Sequence, residues 1–249
     1  MARFTGKKVL VTGGNSGMGL ETAKEFIREG AEVFITGRNS ETLASALKEL
    51  GPKARAAVSD SGSLKEIAAL AAKIKAEFGH LDAAFINAGI AHFVPLEEIT
   101  EKHFDETFNT NVKGPLFLVQ QIAPLFKNGG SIVLNGSVVA QKGFPNAAVY
   151  SATKAAVVNL AKTLSTDLLS KNIRVNTLSP GPIETPIFAR MGGTEEQTKQ
   201  TQDHMAAMVP LKRMGTVSEI AKTVLFLASS DSSFIVGSDI CVDGGVAQL

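Results

Sequence analysis

Seven short apolar runs alternate with six helix-like stretches along the chain, and this alternation constrains the fold more than any other feature. The apolar runs lie near 7–12, 32–36, 54–59, 82–87, 130–135, 173–178 and 238–242. The helix-like stretches lie near 17–29, 40–50, 63–78, 101–126, 148–170 and 216–229. Short apolar strands separated by helices suit a parallel sheet covered on both faces, because parallel neighbours need a crossover back to the same sheet end. The expectation is one α/β domain, doubly wound, with about seven strands. A chain of 249 residues with 44% hydrophobic content can bury a core of that size. No internal repeat, low-complexity tract or Pro/Ser-rich linker divides it.

The turn after the first apolar run gives this scaffold a ligand. Thr12 is followed by Gly13-Gly14-Asn15-Ser16-Gly17-Met18-Gly19, and Leu20, Ala23, Phe26 and Ile27 then recur at helical spacing. Strand, glycine turn and helix form the context in which such a loop binds a dinucleotide. Glycine lets the backbone approach a pyrophosphate that a Cβ would hold off, and the following helix aims free N–H groups at the anion. Thr12, Gly13, Asn15, Ser16, Gly17, Met18 and Gly19 are therefore candidate cofactor-binding residues.

The second apolar run ends in Gly37-Arg38-Asn39. In dinucleotide folds an acidic side chain at this strand end takes the ribose 2′-hydroxyl. Here Gly37 stands in its place and Arg38 follows. A guanidinium fork suits a 2′-phosphate and no carboxylate repels it, so this strand end favours NADP(H) over NAD(H).

Further along, the chain's one tyrosine, Tyr150, lies four residues before Lys154 and thirteen after Ser137. On a helix over 148–170 the phenol and the ammonium share a face, one turn apart. A nearby fixed cation is expected to lower the phenol from its ordinary pKa of about 10 towards neutrality, where it serves as a general acid or base. A downward shift of ~3 units corresponds to about 4 kcal/mol of differential stabilisation.

Other function classes lack support. Net charge is +1, with no basic run interleaved with aromatics, so nucleic acid is not an expected partner. No apolar run approaches the ~20 residues of a membrane helix, and the first strand starts within a few residues of Met1, so no signal peptide is expected. The single cysteine, Cys241, is read as a small core residue in a strand and fits a reducing cytoplasm. His80, His92, His103 and His204 have no metal-ligand spacing, and no metal is expected. His92 borders the cavity or lies in an exposed loop. The segment 181–215 breaks the strand–helix rhythm with Pro182, Pro186, Pro210 and the Gly192-Gly193 pair. Its part near 186–210 is expected to be a substrate lid.

Taken together, these residues resemble the short-chain dehydrogenase/reductase family from about Lys7 to Gly245. The motifs that carry the resemblance run in family order: Thr12-Gly13-x-x-x-Gly17-x-Gly19, Asp60, Asn87-Ala88-Gly89, Asn111, Ser137, Tyr150-x-x-x-Lys154, Pro180-Gly181 and Val242-Asp243-Gly244-Gly245. One small departure is Asn135-Gly136-Ser137, where many relatives carry two adjacent serines.

The resemblance implies a Rossmann-type fold and an Asn111, Ser137, Tyr150, Lys154 catalytic set. Tyr150 would exchange a proton with the substrate oxygen while hydride moves to or from nicotinamide C4. Lys154 would bind the nicotinamide ribose and depress the tyrosine. Ser137 would orient the substrate oxygen, and Asn111 would hold a relay water. Asp60 and Ser61 would receive the adenine. Asn87, Ala88 and Gly89 would pass the adenosine ribose, with Asn87 also suited to tying strands together. Pro180, Gly181, Ile183 and Thr185 would hold the carboxamide. Relatives of this length are usually homotetramers, and part of the apolar face of 216–229 (Val217, Ile220, Ala221, Val224, Leu225, Leu227) is expected to meet a partner subunit.

The expected activity is NADPH-dependent reduction of a small or medium apolar ketone, or oxidation of the alcohol. Val138, Val139, Phe144, Phe93, Phe188, Met191, Met205 and Met208 are candidate pocket residues. The alternative is reduction of 3-oxoacyl groups on acyl carrier protein, an acidic partner that wants a basic rim. Where relatives with that role carry arginines, this chain has Phe126-Lys127-Asn128-Gly129 and Ser170-Lys171-Asn172. A third reading, a nucleotide sensor without turnover, has no need of the complete catalytic set.

Overall fold

The computed structural model describes residues 2–185 and 194–249. Seven parallel strands lie in the order β3-β2-β1-β4-β5-β6-β7. They are β1 (Lys8–Val11), β2 (Glu32–Gly37), β3 (Ala54–Val58), β4 (Ala83–Ile86), β5 (Gly130–Asn135), β6 (Ile173–Pro180) and β7 (Asp239–Val242). Eight α-helices are described: α1 (Gly17–Arg28), α2 (Ser40–Leu50), α3 (Leu64–Phe78), α4 (Glu101–Phe108), α5 (Gly114–Ile122), α6 (Ala148–Leu168), α7 (Glu195–Met208) and α8 (Val217–Ala228). The Rossmann-type, doubly wound sheet expected from the alternation is present.

Strand alternation divides the core between two faces. Leu10, Phe34, Ile86, Ile132 and Leu134 pack beneath α3, α5 and α6. Val9, Val11, Val33, Ile35, Phe85 and Val133 pack on the other face, beneath α1, α2 and α8. Phe26 and Phe34 are fully buried and meet Phe4 and Phe78 edge-on, at 4.8 and 5.6 Å between ring centres. The chain leaves β1 towards β2 and β3 on one side, then returns to β4 on the other. That reversal opens a crevice at the carboxyl ends of β1 and β4, where open α/β sheets bind ligands.

Three expectations are corrected. The stretch 101–126 is not one regular helix: a π turn, Asn109–Lys113, separates α4 from α5. Pro115, at the start of α5, has no N–H to return to the Asn111 carbonyl, and its ring crowds that carbonyl. The last helix does not hold the expected apolar surplus. Ile220, Ala221, Val224, Leu225 and Leu227 are buried inside the chain and Val217 packs against the same cluster, because α8 packs against both the sheet and the neighbouring α1. Cys241 is half-buried rather than core, because β7 is an edge strand paired with β6 alone.

In the expected lid, Met191 and the Gly192-Gly193 joint, like Phe188, lie outside the described residues. Its second half is helix α7, started by a capping box between Thr194 and Gln197. No described helix is long and apolar enough to cross a membrane.

Candidate active site

At the carboxyl ends of the strands lies a cleft of about 600 Å³, within the range of small-molecule sites. Its floor is the turn between β1 and α1. Gly13 has φ +64°, and a Cβ at Gly19 would run into the Gly13 carbonyl, so this path tolerates no side chain at either position. Thr12 locks the turn to β4: its Oγ1 accepts from the Asn87 and Ala88 amides at 2.9 and 3.0 Å. Asn87 Nδ2 donates to the Thr12 carbonyl at 3.0 Å, which is the strand-tying role expected of it.

The start of α1 differs from those of α2, α3 and α8. Those helices have side-chain caps and an acidic residue in the first turn; α1 has neither, and the Ser16 hydroxyl does not cap it. Uncapped N–H groups without a carboxylate favour an anion here. Asn15, Ser16, Gly17 and Met18 line the cleft beside them. The glycine path and this bare helix start fit a dinucleotide pyrophosphate.

At one end of the cleft, β2 delivers Gly37, Arg38 and Asn39. Arg38 is exposed and forms no ion pair with a carboxylate among the described residues. Asn39 caps α2 by accepting from the Thr42 amide at 2.9 Å, and Asn15 Nδ2 reaches Thr42 Oγ1 at 2.8 Å. Asp60 and Ser61 form the adjoining wall, with Asp60 Oδ1 accepting from Gly62 N at 2.9 Å. Ala88 and Gly89 line the middle.

At the other end α6 presents Tyr150 and Lys154 one turn apart. Lys154 is 5% exposed; its Nζ donates to the Asn135 carbonyl at 2.7 Å and lies 5.7 Å from the Tyr150 ring centre. Burial brings its pKa down to about 8. Burial also raises the Tyr150 phenol, and the Ser137 hydroxyl partly opposes this. The expected depression of the phenol by Lys154 is therefore corrected. The ammonium is committed to a backbone carbonyl, and desolvation of the phenolate dominates.

Ser137, 8% exposed, follows β5 and starts a short turn, Val138–Ala140; its Oγ accepts from Val139 N at 3.4 Å. Asn111 is 2% exposed. Its amide accepts from Ile90 N at 2.9 Å and donates to Ile90 O at 2.8 Å and to Thr153 Oγ1 at 3.1 Å. Thr153 Oγ1 in turn donates to the Tyr150 carbonyl at 2.7 Å. The Asn111 side chain thus ties the loop after β4 to the helix carrying the phenol.

Of the carboxamide candidates, Thr185 reaches the cleft wall. Ile183 is buried and bridges to Gly215, while Pro180 and Gly181 are held against Val242.

A neutral phenol, a buried lysine and a serine hydroxyl converge beside a cleft built for a dinucleotide. Known proteins match this chain along nearly its whole length. The family model described as "Enoyl-(Acyl carrier protein) reductase" matches residues 13–247. The chain is 43% identical to "Oxidoreductase asL5" of Sarocladium schorii, over 99% of this chain and 98% of the relative. It is 35% identical to "3-oxoacyl-[acyl-carrier-protein] reductase FabG" of Thermotoga maritima, over 98% and 99%. A crystal structure of "a putative betaketoacyl-ACP reductase" superposes with a TM-score of 0.88 at 39% identity, covering 99% of this chain and 100% of that one.

The chain belongs to the short-chain dehydrogenase/reductase family. It is an oxidoreductase acting on CH–OH and C=O groups with a nicotinamide cofactor. Several lining residues of the enzyme carry no sequence motif: Thr42, Ser59, Ile90, Thr110 and Asn135. Thr42, in the first turn of the helix after Arg38, carried a readable signal, as did Asn135, a polar end to an apolar strand. Among the described residues no three His, Cys, Asp or Glu form a metal site. His92 lies exposed in the loop after β4, its ring 6.0 Å from that of His103.

Proposed function

We propose that this enzyme reduces apolar ketones with NADPH, Tyr150 acting as proton donor. The observation that carries the reading is a partly buried phenol one helical turn from Lys154 and close to the Ser137 hydroxyl, next to an apolar cluster. NADPH, held along the β1–α1 turn and Arg38, would supply the hydride that reduces the carbonyl carbon. Tyr150 gives its phenolic proton to the carbonyl oxygen as charge builds there, and is left as phenolate. The Lys154 ammonium, held on the Asn135 carbonyl 5.7 Å from the ring centre, would bind the nicotinamide ribose beside it. Ser137 orients the carbonyl oxygen and stabilises charge developing on it. Arg38, which forms no ion pair among the described residues, favours the 2′-phosphate and hence NADPH.

Val138, Val139, Val209 and Val246 form the apolar cluster, with Phe144 and Tyr150 packed against it; Phe93, 46% exposed, meets the Tyr150 ring at 5.9 Å. The four valines are buried, so the apolar face offered beside the phenol is that of Phe93, which suits an apolar substrate. The chain is a single domain in this reading, and the described part of the expected lid reaches the cluster through Val209. NADPH oxidation against a panel of ketones, aldehydes and a 3-oxoacyl thioester tests the reading, with apolar ketones expected as the best substrates. Failure of every ketone would overturn it.

The second reading, 3-oxoacyl reduction on acyl carrier protein, draws on the Thermotoga maritima relative and on the exposed Lys127 and Lys171. The thioester in the panel decides between the two. The half-buried single cysteine suits a reducing cytoplasm.

The pH profile follows from Lys154. Its ammonium is lost as pH rises through about 8, so kcat/KM for ketone reduction is expected to fall above that pH. Stability moves the opposite way. Between about 8 and 10 the unfolded chain holds a proton that folded Lys154 has released, so its cost to the fold shrinks as pH rises. Thermal midpoints of cofactor-free wild type and Lys154→Met are expected to converge over that window. Parallel midpoints would show that Lys154 titrates normally.

The enzyme assembles as a homotetramer in this reading. With most apolar side chains of α8 packed inside the chain, its exposed Phe226, together with exposed Phe104, Phe234 and Val236, offers apolar surface to partners. Light scattering at micromolar concentration is expected to give four chains, and a monomer would refute the assembly.

A further inference from the structure

The motif Val242-Asp243-Gly244-Gly245 has no part in the chemistry above, yet the segment it begins reaches the catalytic serine. Asp243 is 9% exposed, and its two carboxylate oxygens accept from Gly245 N and Ala247 N, both at 2.8 Å. Gly244 and Gly245 have φ of +63° and +96°, so this path is set by its sequence. It carries Val246, 3% exposed, onto Val138 and Val139, the residues directly after Ser137.

The turn that starts at Ser137 closes on itself through the amides of Ala140, Gln141 and Lys142, which donate to the Ser137 and Val138 carbonyls at 3.0, 3.0 and 3.2 Å; its side-chain bond is longer, Ser137 Oγ to Val139 N at 3.4 Å, and Gln141 and Lys142 are exposed. Two side chains of this turn bond to the segments beside it. Lys142 Nζ donates to the Val246 carbonyl at 3.1 Å. Gln141 Nε2 donates to Asp239 Oδ2 at 2.7 Å, and Gln248 Nε2 reaches Gln141 Oε1 at 3.4 Å. At its other end the segment is held beside the turn after β6, where Gly181 N donates to the Val242 carbonyl at 3.0 Å. It therefore spans from the proposed carboxamide side of the cleft to the Ser137 turn.

We propose that Asp243–Leu249 is a positioning element of the active site, clamping the 138–142 turn so that the Ser137 hydroxyl stays in register with Tyr150. The inference rests on the reading of Ser137 and Tyr150 as the reacting pair. Val246 supplies the apolar contact and Lys142 the polar one; neither touches the reacting atoms.

Two variants test the clamp in different ways. Lys142→Met removes an exposed ammonium and leaves the core intact, while Val246→Ala removes buried contact. Hydrogen exchange on the cofactor-free protein needs no substrate. Both variants are expected to speed amide exchange in 138–142 about tenfold, with β1 and β4 unchanged. Steady-state rates should show kcat for the best ketone falling about fivefold to tenfold. The NADPH dissociation constant should stay within about twofold, and Lys142→Arg should restore both readouts. Exchange in 138–142 unchanged within about twofold, or raised equally across the sheet, would overturn the proposal. So would a kcat unchanged in both variants. Should wild type reduce no ketone, the proposed function falls, while the exchange experiment still decides whether this segment holds the turn.

Discussion

Tyr150→Phe is expected to lower kcat for ketone reduction by about 10³-fold, the scale of a lost general acid, while the NADPH dissociation constant changes less than about twofold. The substitution removes one hydroxyl and keeps the ring that packs against Phe93 and the valine cluster. Chemistry and folding are therefore separable in this variant. Retention of more than a few per cent of the wild-type kcat would exclude Tyr150 as the proton donor. The composition allows a direct check of the protonation state, since the chain has one tyrosine and no tryptophan. Ultraviolet difference titration of the cofactor-free protein reads this single phenol, and burial predicts no phenolate until the pH exceeds the ordinary tyrosine value of about 10. A phenolate near neutrality would restore the lysine-depressed phenol that the motif spacing suggests.

That contrast marks how far the sequence can be read. Spacing places Tyr150 and Lys154 on one helix face, and α6 holds them there. Whether the lysine acts on the phenol depends on where the ammonium points, and it points to the Asn135 carbonyl on a strand nineteen residues earlier in the chain. Contacts of that kind leave no periodic signal. The strands were legible because a two-sided sheet requires apolar residues on both faces, as β1, β2 and β4 have.

Asn111 illustrates an intermediate case. The family pattern picked out the residue, and the structure shows an amide spent on Ile90 and Thr153. Its local geometry was readable from Pro115, four residues on, which blocks the regular helical bond and opens the π turn. The apolar surplus of α8 was misread for a different reason. A helix packed against both the sheet and a neighbouring helix needs more than one apolar stripe, and sequence alone does not say whether the second stripe meets this chain or another.

Cofactor choice gives the second large effect. Arg38→Ala is expected to weaken NADPH by about 1.5–3 kcal/mol, roughly tenfold to 150-fold, and NADH by less than about twofold, because the guanidinium bonds a phosphate that NADH lacks. Titration of each cofactor onto the protein measures both constants without turnover. The reciprocal change is less simple than the motif suggests. Gly37→Asp would place a carboxylate at the end of β2, but a Cβ there would lie 2.7 Å from Asn15 Cγ. Asn15 is held by Thr42 Oγ1 at 2.8 Å and borders the phosphate cradle, so its displacement would disturb both cofactors. The single variant is therefore expected to lose affinity for NADPH and NADH alike. Gly37→Asp combined with Asn15→Ala removes the collision, and in that background NADH should bind more tightly than NADPH. If Arg38→Ala costs both cofactors equally, the arginine does not read the phosphate. If the double variant still prefers NADPH, the preference is set elsewhere along the cleft wall, with Asn39 and Thr42 the nearest polar groups.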